Sequence, residues 1–304
     1  MHAQNIFWEI SAVTGCVVYV LVAALILAGL RRKLRARLQG RVGPPVWQPV
    51  LDLVKLMYKE ASIPVTSSAF FFVAPLIAFA SSILAALLAP VSPNHLLSFT
   101  GDLVLLPVLL FAGEAALILG GFSSGNPYAW ISGSRSLSLI LIRDAFLALT
   151  IISLYLRSEK LTLAQAIEEV PAPHALLLFA FFTLFLLFSS LTTLFSAPLA
   201  ETEILEGYLL EYSGPLLALA EQSHWLTSYA VAGIASAAAL RVLGLWLEGL
   251  APLMHLLIVI LLAFLLASTD AVFARLRIWG SVKLAALTLG FLSTVSLALS
   301  TMRW

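Results

Sequence analysis

Cysteine is nearly absent from this chain of 304 residues; Cys16 is the only one. One thiol excludes an internal disulfide and a cysteine-ligated iron–sulfur cluster. Charge is scarce too: 11% of residues are charged, 61% are hydrophobic, and mean hydropathy is +1.01. A soluble domain of this size cannot hide so much apolar surface, so the composition selects a polytopic membrane protein. His2, His95, His174, His224 and His255 show no HxxxH or HxxE spacing, which argues against a metal site in the chain. There is no nucleotide-binding loop, nucleophile triad or zinc motif; Gly120-Gly121 and Gly125 follow a membrane span rather than a strand. No basic region precedes the first apolar run, so the N-terminus does not read as a cleaved signal peptide.

What is present is a series of apolar runs, each near the ~20 residues that cross a bilayer. They cover 6–30, 69–91, 103–122, 137–156, 175–195, 226–247, 253–272 and 282–299. The expected fold is all-α: about eight transmembrane helices plus amphipathic helices on the cytoplasmic face, forming one integral membrane domain over 1–304. Gly43-Pro44-Pro45, the prolines Pro90 and Pro93, Gly120-Gly121 and the prolines Pro171 and Pro173 punctuate the spans. The first loop holds Arg31, Arg32, Lys33, Arg35, Arg37 and Arg41, then Lys55 and Lys59; Arg135, Arg275 and Arg277 fall on the same side. The opposite side has only Arg157, Lys160 and Arg303. The positive-inside rule then makes the odd-numbered loops cytoplasmic and puts both termini outside.

Past Gly43-Pro44-Pro45, Trp47, Val50, Leu51, Val54 and Met57 recur at helical spacing, with Asp52, Lys55 and Lys59 elsewhere on the wheel. This is an amphipathic helix lying on the membrane face, either passive or a docking surface for a soluble partner. An acidic loop at 196–214 carries Glu201, Glu203, Glu206 and Glu211. Glu203 and Glu206 are three apart, so a helix opening at Pro198 puts them on one face. Like charges there favour a shared proton, and a proton relay is one reading. A solvated acidic surface paired with the basic residues is the other.

Some ionisable residues fall inside the spans. Glu114 is near the middle of the third, and Arg143 and Asp144 are within the fourth. Charge is costly there, so Glu114 and Asp144 read as functional. Glu248 and Asp270 lie near span ends, where snorkelling or a structural ion pair suffices. The histidines at span ends read as interfacial packing.

Three stretches in order resemble the eight-helix membrane subunit shared by respiratory complex I (the ND1-type subunit) and the energy-converting membrane-bound hydrogenases. RVGPPVWQPVLDLVKLMYKE (41–60) is similar to the family's RxGPxxxQPxxDxxKLxxKE, YAWISGSR (128–135) to its third-loop segment, and EILEGYLLEYSG (203–214) to its ExELxxGxxxEYSG. Two acids of the family's acidic stretch are missing: Ser196 and Leu199 stand in their places. Asp144 replaces a glutamate and follows an unusual Arg143. Asp270-Ala271, the Ala274-Arg275-Leu276-Arg277 run and Glu206-Gly207 look like the hydrogenase-type branch.

The resemblance implies a non-catalytic connector in a prokaryotic cell membrane. A hydrogenase-like large subunit and small iron–sulfur subunits dock on Arg35, Arg37, Arg41, Asp52, Lys55, Lys59 and Arg135, while antiporter-like membrane subunits pack alongside in the lipid bilayer. Glu201, Glu203, Glu206, Glu211, Asp144 and Glu114 couple redox turnover to H+ or Na+ movement. The chain itself holds no metal or cofactor; iron–sulfur clusters, and in a hydrogenase a nickel–iron centre, belong to the partners, and no nucleic acid takes part. A quinone-chamber subunit of complex I, the membrane subunit of a related sulfur-reducing complex, and a free-standing ion transporter remain as alternatives.

Overall fold

The computed structural model describes residues 2–92, 97–199, 207–245 and 250–302. Ten α-helices are present among the described residues, with no strand: α1 (His2–Leu38), α2 (Gln48–Met57), α3 (Ala69–Leu88), α4 (Asp102–Phe122), α5 (Pro127–Ser158), α6 (Leu163–Glu169), α7 (Ala172–Ser189), α8 (Gly214–Val242), α9 (Ala251–Val272) and α10 (Ile278–Thr301). Eight are long and apolar enough to cross a membrane; α2 and α6 are not. The protein is thus all-α with eight spans. Successive spans alternate direction, so α2, the α4–α5 turn, the acidic segment and the α9–α10 loop share one face, here called the acidic-loop face.

The bundle is organised around α8. Its most apolar window is 83% buried against 22% for α1, so α8 is wrapped by protein while α1 faces outward. It packs against α1, α2, α3, α7 and α9. Ala230, Ala232, Gly233, Ala235, Ser236, Ala237 and Ala238 make this possible. Small side chains let backbones approach closely where lipid supplies no hydrophobic drive between helices. A second junction joins α5 to α4 and α10.

Helix ends depart from the apolar runs in three places. The first helix continues through the basic cluster to Leu38, so Arg31 to Arg37 are helical. The fourth span starts at Pro127 rather than 137, capped by Asn126, whose side chain accepts from Tyr128 N. The sixth starts at Gly214 rather than 226, with Pro215 in its first turn. An apolar run stops at the first polar residues because lipid would reject them; inside a protein-wrapped helix they are tolerated. Among the histidines expected at span ends, His224 is displaced inward for the same reason, while His174 and His255 do sit near the starts of α7 and α9 but pack against protein. His174 and His255 are 2% and 0% exposed, and His224 lies inside α8. His95 and Glu248 lie outside the described residues.

The interfacial helix forms as its spacing predicts. Trp47, Val50, Leu51, Val54 and Met57 around α2 are exposed, ready for a membrane surface, while Pro49 is buried. Asp52 of α2 accepts from Arg32 Nη1 at 2.6 Å and from Gln48 Nε2 at 3.0 Å. That pair ties α2 to the end of α1. Asp270 is a structural ion pair, one of its two expected roles. Arg31 Nε donates to Asp270 Oδ2 at 2.7 Å and Nη1 donates to Ser190 O at 2.9 Å, while Thr193 N donates to Asp270 Oδ1 at 2.8 Å. One buried carboxylate therefore joins α1, the end of α7 and α9.

Removing one partner of a buried pair strands the other. Asp270→Ala is expected to destabilise the detergent-solubilised protein by about 3 kcal/mol, read as a lowered unfolding midpoint. Asp270→Asn, which keeps a hydrogen-bond acceptor, should fall between it and the native chain.

Candidate functional site

Arg143 brings the two intramembrane acids together. Its Nη1 donates to Glu114 Oε1 at 3.1 Å. Its Nη2 lies 2.9 Å from Glu114 Oε2 as an ion pair, without hydrogen-bond alignment. Its Nε donates to Asp144 Oδ1 at 2.8 Å. The side chains of Arg143, Glu114 and Asp144 are 4%, 11% and 11% exposed. The guanidinium also lies 4.6 Å from the ring of Phe185. Two carboxylates share one cation, so with both ionised the trio carries one negative charge. Asp144 Oδ2 is buried without a hydrogen-bond partner among the described residues. The trio can therefore accept one proton and become neutral.

Above it is a cavity of about 20 Å³, lined by Glu114, Arg143, Ser136, His224, Pro198 and Tyr208 among others. One water needs ~10–15 Å³, so a single water fits. His224 Nε2 is buried without a partner among the described residues and is suited to receive one. Pro198 and Tyr208 flank the acidic segment on its two sides. Glu114 and the two described flanks of the acidic segment, Pro198 and Tyr208, therefore meet across one water-sized space.

The segment is strapped down at both ends. On the first side Ser132 Oγ donates to Pro198 O at 2.6 Å, and Arg135 Nη1 donates to Ala197 O at 3.3 Å. Pro198 sits in a 3-10 turn, Ala197–Leu199, rather than opening an α-helix. On the second side Asn126 Nδ2 donates to Glu211 Oε1 at 2.5 Å, and Ser62 N donates to Ser213 Oγ at 2.7 Å. All but the last contact fall on α5 or its cap. YAWISGSR is thus the opening of α5 rather than a loop, and it serves as the platform for the acidic segment.

Close backbone approach makes room for the tyrosines. A side chain at Gly120 would run into the Tyr212 hydroxyl, and one at Gly121 would run into Tyr208 Cβ. The paired glycines admit Tyr208 and Tyr212 onto α4. Gly207 has φ +63°, which favours glycine, and its face lies against Ser132. Tyr212 stacks on Phe71 with ring centroids 4.3 Å apart. Burial, and after it the Glu114 carboxylate, push the Tyr208 phenol above its ordinary pKa; burial does the same for Tyr212. Both remain neutral hydroxyls through the physiological range.

The residues singled out by the sequence divide clearly. Glu114 and Asp144 are joined. Glu211 is held by Asn126 at the cap of α5. Glu201, Glu203 and Glu206 lie outside the described residues. Of the docking set, Arg35, Arg37, Arg41, Lys55 and Lys59 are exposed on the acidic-loop face, Asp52 is paired with Arg32, and Arg135 reaches Ala197. Ser136, Tyr208 and His224 join the site without a signal in the hydropathy pattern. The sixth apolar run begins two residues after His224, which therefore reads as a loop residue. Tyr208 stands in the EILEGYLLEYSG motif, where the acids are the conspicuous feature.

The fold and its internal charge place the chain among polytopic membrane proteins that keep ionisable groups inside the bundle. The model of the NADH dehydrogenase family matches residues 11–301, and the chain belongs to that family as an ND1-type membrane subunit. It is 30% identical over 243 residues to an NADH-quinone oxidoreductase subunit of Thermomicrobium roseum, covering 68% of this chain and 71% of that protein. It is also 30% identical over 223 residues to hydrogenase-4 component C of Escherichia coli, covering 67% and 69% respectively. A chain from the structure of the membrane-bound sulfane sulfur reductase, an archaeal respiratory membrane complex, superposes with a TM-score of 0.82 over 98% of this chain and 100% of that one. At 23% identity that likeness concerns the fold.

The trio makes a testable energetic claim. Arg143→Gln leaves two carboxylates buried side by side and should cost about 3–5 kcal/mol of stability. Adding Glu114→Gln and Asp144→Asn to that variant should recover a substantial part of the loss, as measured by thermal unfolding in detergent. Equal instability of the single and triple variants would show that packing against Phe185 matters rather than charge.

Proposed function

We propose that this chain is the coupling subunit of a ferredoxin-linked, energy-converting respiratory complex of the membrane-bound hydrogenase type. The observation that carries this reading is the shared water-sized cavity. Pro198 and Tyr208, which flank the acidic segment in the chain, line it together with Glu114 and Arg143 at mid-span, and this supports a link between the segment and the trio. A charge change in the segment then alters the field at Glu114, Arg143 and Asp144 through a poorly screened interior. The trio responds by taking or releasing a proton.

The rest of the assignment follows from the surface. Arg37, Arg41, Lys55 and Lys59, with Arg35 at their edge, offer a basic cytoplasmic docking face for a hydrogenase-like large subunit and small iron–sulfur subunits. The redox centres belong to those partners. Antiporter-like membrane subunits receive the response and move H+ or Na+. Glu201, Glu203 and Glu206 are the groups that turnover perturbs, and Glu211 holds the segment to α5. Both termini face outward.

Two observations bear on the alternative, a quinone-chamber subunit. Similarity to a quinone oxidoreductase subunit equals that to a hydrogenase component, which keeps the alternative in view. The cavities divide on it: the one at the trio, about 20 Å³, is too small to hold a quinone ring, whereas an apolar groove between α1 and α9, about 590 Å³, is within the ~300–1,000 Å³ of small-molecule sites.

The test uses the purified complex in proteoliposomes. Glu114→Gln, Asp144→Asn and Glu203→Gln are expected to leave assembly intact and to uncouple ion transport from electron flow. Native coupling in all three contradicts the reading. Hydrogen evolution from reduced ferredoxin supports the hydrogenase branch; quinone-analogue reduction, or sulfur reduction, without hydrogen evolution overturns that branch while leaving the coupling claim to the variants.

A further inference from the structure

Three cavities run together along α1, away from the trio. The first, about 190 Å³, lies at the acidic-loop end of the helix and is lined by Arg31, Arg32, Arg35, Trp225 and Asp270 among others. The second, about 590 Å³, is a groove between α1 and α9 floored by Tyr229, with walls that are almost wholly apolar. The third, about 230 Å³, separates α1 from the start of α2 at Val46, Trp47 and Val50. They adjoin through shared wall residues. Leu27 lines the first and second, and Val22 and Ile26 line the second and third.

The charges at the head of this system do not balance. Arg31 is taken by Asp270 and Ser190 O. Arg32 is bound to Asp52 and stands 5.6 Å from the ring of Trp225. Arg35 pairs with no acid among the described residues, so three arginines face two carboxylates. One positive charge is left over, next to a planar donor already held in place by Asp52 and Trp225. Guanidinium groups suit phosphate oxygens. Below them, the α1–α9 groove runs from Gly15 to Leu30. At 1.5 Å per residue that is about 22 Å, more than the ~15 Å half of a bilayer's hydrocarbon core.

We propose that this edge is a built site for one two-chain anionic phospholipid. Its phosphate is held between Arg32 and Arg35. One chain fills the α1–α9 groove and the other fills the α1–α2 groove beneath Trp47. The proposal commits to a lipid because charge and shape agree: a single anionic head sits above two apolar channels that share a wall. A soluble anion has no use for the channels, and an uncharged isoprenoid has no use for the surplus arginine. The bound lipid wedges α2 against α1 and so sets the height of the interfacial helix.

The test is carried out on the purified complex, washed extensively in mild detergent and extracted for lipid mass spectrometry. Two variants probe the two halves of the site. Arg35→Gln removes the surplus charge. Gly15→Leu fills the chain groove without strain, since a side chain there meets nothing within 4 Å. The native complex is expected to retain anionic phospholipid in stoichiometric amount. Arg35→Gln should lower retention about fivefold, the worth of one arginine at an anionic surface. Gly15→Leu should lower it with every arginine still in place. In nanodiscs, phosphatidylglycerol should raise the unfolding midpoint above that in phosphatidylcholine for the native complex but not for the doubly substituted one. The proposal is overturned by retention that is unchanged in both variants. It is equally overturned if an isoprenoid quinone is recovered in place of phospholipid, or if inorganic phosphate alone reproduces the stabilisation.

Discussion

A single guanidinium holding two carboxylates at mid-span is the constraint on which the other features depend. A lone charge at the bilayer centre costs several kcal/mol, and the cost is met only by partners placed in advance. Glu114 must come from α4 and Asp144 from α5, so these helices have to be locked in register. Phe185 of α7 closes the third side. The trio in turn fixes what lies above it. A cavity lined by the Glu114 carboxylate and Arg143 needs other polar groups, and Tyr208, Ser136 and His224 line it.

Small residues make that arrangement sterically possible. Gly120 and Gly121 allow the acidic segment to lie directly on α4, and the alanines of α8 let the surrounding helices close around a protein-wrapped axis. The basic end of α1 does a different job. Arg31 and Arg32 are committed to Asp270 and Asp52, which hold α9 and α2 in place. Arg32 gives only Nη1 to Asp52, and Arg35 beyond it pairs with no acid among the described residues, so both keep donors for a ligand. The chain thus has a rigid interior carrying charge at its centre, and a basic rim whose pairing is incomplete.

Much of this architecture is legible in the sequence. The eight spans follow from apolar length, and α2 follows from the spacing of Trp47, Val50, Leu51, Val54 and Met57. Glu114 and Asp144 stand out because acids inside apolar runs are rare. Their meeting cannot be read there, because it depends on how α4 and α5 pack and on the role of Arg143. Hydropathy also misplaces the starts of α5 and α8. It treats every polar residue as facing lipid, whereas Ser132, Ser223 and His224 face protein. The cost is His224, which reads as an interfacial residue and in fact lines the central cavity. The acids Glu201, Glu203 and Glu206, the most conspicuous feature of the sequence, lie outside the described residues, so their part rests on the two anchored ends of the segment.

The central claim is that the trio changes its protonation when the docked redox module turns over. Redox-difference infrared spectroscopy of the intact complex tests this most directly, because a protonated carboxyl group has its own C=O stretch. Reduction should produce a carboxyl band that shifts in heavy water and disappears in Glu114→Gln or Asp144→Asn. A difference spectrum with no carboxyl band, or with one that survives both substitutions, would contradict the account.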